Sequence, residues 1–99
     1  MLQFLPVHAG TLLNLLSTQL NVDQAFGQAL RSLRTKRKWS QTDLALRAAV
    51  DRNYISLIEL GKSSPSLGMV YRLCDALDIQ PADMLKDVGK RLAHEPGGK

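Results

Sequence analysis

Nine of the thirteen Lys and Arg residues fall between positions 23 and 72: Arg31, Arg34, Lys36, Arg37, Lys38, Arg47, Arg52, Lys62 and Arg72. Only Asp23, Asp43, Asp51 and Glu59 oppose them there, whereas residues 73–99 hold four basic against five acidic groups and residues 1–22 hold no charged side chain. The chemistry open to that pattern is electrostatic: a positive field centred on the middle of the chain, suited to a polyanionic partner. Reactive groups are otherwise sparse. Cys74 is the one cysteine, so it has no partner for an internal disulfide and fits a reducing compartment. His8 and His94 lie near opposite ends, without zinc-ligand spacing. No paired carboxylates, nucleophile elbow or phosphate loop stands out, so neither catalysis nor a metal or cofactor is expected.

Five short helices are expected to position these side chains, in one all-α domain with no strand-like alternation. From Asp23 to Lys38, Phe26, Ala29, Leu30 and Leu33 recur at helical spacing, with Asp23 as N-cap and basic residues crowding the last turn, where they complement the helix dipole. That basic cluster reads as a solvated face that adds long-range steering. Ser40, with Asp43 three residues on, makes a capping-box start for a helix of about two turns carrying Leu44, Ala45 and Ala48. Trp39 just before that cap is expected to pack against the helix entry. Asp51 caps a third helix whose inward stripe is Ile55 and Ile58, and Gly61 ends it in a left-handed conformation. After a polar loop, Leu67, Val70, Leu73, Cys74 and Leu77 line a fourth helix, on which Cys74 is expected to be a buried, inert thiol. Pro81 starts a fifth, with Met84, Leu85 and Val88 inward.

The second and third of these helices have the spacing of a helix-turn-helix. Such a pair crosses at a steep angle, so a small residue must sit at the contact and the turn must be tight. Ala45 supplies the small contact, and Ala48, Ala49 and Val50 the turn. The run SQTDLALRAAVDRNYISLIELGKSSPSL, preceded by FGQALRSLRTKRKW, resembles the XRE family of phage repressor and Cro-like regulators, whose pattern reads SQxxLA, YIS, IExG and PS. The resemblance covers about residues 24–86, and VDRNYISLIE is also similar to restriction-modification controller proteins.

The resemblance implies a compact five-helix bundle of the lambda-repressor-like type and a transcriptional regulator that reads double-stranded DNA, as a homodimer on a palindromic operator. Alone, Arg52 and Asn53 read as solvated residues at a helix start. Within the family pattern they become the leading base readers, Arg52 toward guanine and Asn53 toward adenine, with Ser56 and Leu57 one turn on reaching a base edge or a thymine methyl. Gln41, Tyr54, Lys62, Ser63, Ser64 and Ser66 are implied backbone contacts. Arg34 and Glu59 match the positions of a partly buried ion pair joining the first and third helices. Two departures stand out. Ala49 replaces a common glycine, at a cost of about 1 kcal/mol if its backbone is left-handed. Leu60 replaces a polar or basic residue, and is expected to cover an apolar neighbour or to remove a backbone contact.

The ends read differently from the 23–90 domain. Residues 1–22 are leucine-rich and uncharged, and suit an extra helix, a dimerisation arm or a protein-binding segment of the kind an antitoxin uses. Polar interruptions keep them short of a membrane span, and no basic region marks a signal peptide, so a cytoplasmic protein is expected. Residues 91–99 read as a flexible tail.

Overall fold

The computed structural model of the chain describes residues 20–93, in which five helices and no strand occur. They are α1 (Val22–Lys36), α2 (Gln41–Ala48), α3 (Arg52–Glu59), α4 (Leu67–Leu77) and α5 (Pro81–Ala93). The extra helix and partner-binding arm expected over residues 1–22 fall chiefly on residues 1–19, outside the described residues, as do residues 94–99 of the tail. No helix among the described residues is long and apolar enough to cross a membrane.

Local chemistry sets most of the helix ends. Ser40 Oγ accepts from the Asp43 N–H at 3.0 Å and Asp43 Oδ2 accepts from the Ser40 N–H at 2.7 Å, a complete capping box. Asp51 Oδ1 accepts from the Asn53 N–H at 2.7 Å, and Ser66 Oγ from the Met69 N–H at 3.0 Å. Gly61, at φ +75°, turns the chain after α3. The cap of α1 is Asn21 rather than Asp23. Asn21 and Gln24 form the reciprocal pair at 2.8 and 3.0 Å, because a capping side chain needs the amide three residues ahead of it free. Asp23 sits in the first turn instead. The same helix stops at Lys36, two residues short of its expected end, and Lys38 adopts φ +62°.

Each helix contributes one stripe to a shared core: Phe26 and Leu30 from α1, Leu44 from α2, Ile55 and Ile58 from α3, Leu73, Cys74 and Leu77 from α4, Met84 and Val88 from α5. α1 packs on α3 and α5, α2 on α3 and α4, and α4 on α5. Two residues assigned inward are not. Leu67 is 67% exposed and Leu85 is 49% exposed, since each lies at the margin of its helix's buried stripe. Cys74 is fully buried, and burial pushes its thiol pKa up, so thiolate chemistry is suppressed.

Candidate nucleic-acid interface

Helix α3 has two opposite sides with opposite solvation. Ile55 and Ile58 are fully buried, while Arg52, Asn53 and Leu57 are exposed and Ser56 is half-buried on the stripe they leave outward. α1 can approach the far side of α3 because Gly27 has no side chain there. A Cβ at Gly27 would collide with the carbonyl oxygens of Ile58 and Glu59. The interior glycine, which weakens α1 by up to about 1 kcal/mol relative to alanine, is the sequence signal of that close approach.

An ion pair fixes the same helix from behind. Arg34 donates from Nε to Glu59 Oε2 at 2.6 Å and from Nη2 to Glu59 Oε1 at 2.8 Å, and its Nη1 donates to the Trp39 carbonyl at 2.8 Å. The side chains are 10% and 4% exposed. The hydrogen bond that Arg34 donates to Glu59 raises the Arg34 pKa, so the guanidinium stays charged despite its burial. The pair then extends forward. Gln41 Nε2 donates to Glu59 Oε1 at 3.0 Å, and Arg52 Nη1 donates to Gln41 Oε1 at 3.0 Å. Four residues to which the sequence assigned three separate roles thus form one chain, Arg34–Glu59–Gln41–Arg52, running from α1 to the first residue of α3. Because Glu59 takes the amide nitrogen of Gln41, the amide oxygen faces Arg52. That leaves one amide hydrogen of Gln41, with the free N–H groups of α2, to meet an anion.

The loop after α3 carries Lys62 and Ser64 exposed and Ser63 half-buried, followed by Ser66 at the start of α4. The Ser66 hydroxyl oxygen is committed to its cap, which leaves its proton for another acceptor. Tyr54 is half-buried and packs against the core. Leu60 is 61% exposed and, among the described residues, does not pack against the apolar core, contrary to one expectation for it. Ala49 adopts φ 59°, ψ 48°, so the turn is left-handed and carries the cost attached to alanine there.

Three basic side chains near this face have structural contacts that were not legible in the sequence. Arg37, grouped with the solvated basic cluster, donates to the Leu33 carbonyl at 3.0 Å and to the Leu77 carbonyl at 2.6 Å, tying the end of α4 to α1. Arg47 stacks on Trp39 with its guanidinium carbon 4.1 Å from the ring centroid. Arg72 reaches the Ala49 carbonyl at 3.5 Å, on the turn itself. All three need tertiary neighbours that no local pattern announces.

A helix-turn-helix family model matches residues 30–84. The control protein C.BamHI of Bacillus amyloliquefaciens is 39% identical over 66 residues, covering 66% of this chain and 82% of that protein. The crystal structure of the restriction-modification controller protein C.AhdI from Aeromonas hydrophila is similar at TM-score 0.61 and 40% identity, over 63% of this chain and 94% of that one. That of the clp gene regulator ClgR from Corynebacterium glutamicum is similar at TM-score 0.73 and 28% identity, over 78% and 100% respectively.

Proposed function

The chain belongs to the XRE-like helix-turn-helix family, and on that premise we propose that it is a sequence-specific regulator of transcription that binds double-stranded DNA with α3 in the major groove. The observation that carries this reading is the outward stripe of Arg52, Asn53, Ser56 and Leu57, on a helix whose last residue, Glu59, is tied to α1 by a buried ion pair. In this reading Arg52 presents its guanidinium to guanine O6 and N7, and Asn53 its amide to adenine N6 and N7. Gln41, Lys62, Ser63, Ser64 and Ser66 meet phosphates on either side, with Tyr54 at the groove edge, and set the register. Similarity to a relative named as a control protein, at 39% identity, and to one named as a restriction-modification controller protein, at 40%, supports the restriction-modification controller kind of regulator.

One α3 reads only a few base pairs, so two copies are needed for an operator of useful length. The proposed arrangement is a homodimer on a palindrome with half-sites about one helical turn, roughly 34 Å, apart. Selection of bound duplexes from a random pool tests site, symmetry and spacing together. A symmetric consensus is expected, and Arg52→Ala is expected to relax one position of it. Binding that is blind to sequence, and unchanged by Arg52→Ala, would sink the proposal.

A further inference from the structure

The outward stripe of α3 does not end with polar groups. Leu57 is 43% exposed, and Leu60, three residues on, is 61% exposed. Leu60 has φ −83° and ψ −4°, so the helical path continues through it and its side chain leaves from the same side as Arg52, Ser56 and Leu57. Isolated exposed leucines elsewhere on the molecule need no explanation. A pair one turn apart, continuous with the base-reading residues of the proposed interface, is different. The core takes Ile55 and Ile58 from the other side of this helix, and among the described residues neither Leu57 nor Leu60 packs against that core.

We infer that Leu57, flanked by Leu60, makes binding depend on the methyl group at pyrimidine C5. This rests on the proposed placement of α3 in the major groove. On the base edges exposed there, donors and acceptors are polar and the C5 methyl of thymine is the apolar group. A leucine buried against it loses water from both partners, whereas against a cytosine edge it desolvates an amino group without return. 5-Methylcytosine carries its methyl at the same ring position, so the inference extends to it: cytosine methylation at that position strengthens binding. The two leucines are about 4.5 Å apart along the helix axis, little more than one base step, so the effect is confined to one or two adjacent positions.

The test uses the full chain and a duplex recovered by selection. Each thymine is replaced in turn by deoxyuridine, which keeps pairing and removes only the methyl. The base pair so identified is then changed to cytosine–guanine, with and without the cytosine methyl. The expected result is a loss of about four-fold on removing one methyl, with a matching gain of 5-methylcytosine over cytosine. Leu57→Ala abolishes both differences, Leu60→Ala reduces them, and Leu57→Met, which keeps an apolar side chain, retains them. Sensitivity to thymine alone overturns the extension to 5-methylcytosine. Selective binding in which no methyl matters, or in which Leu57→Ala keeps wild-type sensitivity, overturns this inference and leaves the DNA reading standing. Absence of selective binding to any duplex overturns both, and a change of oligomeric mass in Leu57→Ala with unaltered methyl sensitivity assigns the pair to a protein contact instead.

Discussion

At the scale of single residues, the Arg34–Glu59–Gln41–Arg52 chain separates stability from recognition. Arg34→Met leaves the Glu59 carboxylate buried with only Gln41 beside it, a loss of about 3–5 kcal/mol. For a domain of this size each kcal/mol moves Tm by roughly 4–8 °C, so thermal melting followed by circular dichroism is expected to fall by more than about 10 °C. A drop of only a degree or two would mean that the pair contributes little. Gln41→Met behaves otherwise. The ion pair survives, so Tm stays within a few degrees of wild type, while Arg52 loses the acceptor that orients it. In binding assays its defect is expected at the same base position that Arg52→Ala relaxes. An equal weakening on every sequence would instead make Gln41 a phosphate contact only. The identity of these residues was visible in the sequence pattern. Their connection was not, because hydrogen bonds between residues 11, 18 and 25 positions apart depend on how three helices cross.

At the scale of elements, the turn between α2 and α3 holds a reversible cost. Ala49 sits in the left-handed region, where glycine is free of the Cβ clash, so Ala49→Gly is expected to stabilise by about 1 kcal/mol and raise Tm by several degrees. An unchanged or lower Tm would show that other contacts, such as that of Arg72 with the Ala49 carbonyl, already relieve the strain. The start of α2 responds to pH. The Ser40 N–H, then its hydroxyl, hold the Asp43 carboxyl pKa below its ordinary value. A carboxyl depressed in the folded state stabilises fully above its unfolded value, about 3.9, and the contribution disappears as pH falls through the folded value. The Tm deficit of Asp43→Ala is therefore expected to be constant from neutral pH down to about 5 and to shrink below about 4. Signals confined to a few residues, such as Ser40 with Asp43, Asp51, Gly61 and Pro81, were legible because their partners lie within one turn. Leu67 and Leu85 were misread because periodicity gives the direction of a buried stripe but not its width, which depends on how closely the facing helix approaches.

At the scale of the whole molecule, the positive surplus of residues 23–72 does not translate into an equal number of phosphate contacts. Arg34 is consumed by Glu59, Arg37 by two backbone carbonyls, and Arg47 rests on Trp39. Lys62 is exposed beside α3 and pairs with no acidic group among the described residues. Counterion release ties this division to a measurement, since each cation that neutralises a phosphate adds about 0.9 to the magnitude of the slope of log K against log salt. Lys62→Ala is expected to lower that slope by about 0.9 and to weaken binding equally on all sequences. Arg37→Ala is expected to leave the slope unchanged and to lower Tm, because the Leu33 and Leu77 carbonyls lose their donor and α4 its tie to α1. A fall in slope for Arg37→Ala, with Tm unaltered, would place the whole basic cluster on the nucleic acid and reverse this assignment of its charges. Two variants that each remove one positive charge thus part company, one acting on the salt dependence of binding and the other on the fold.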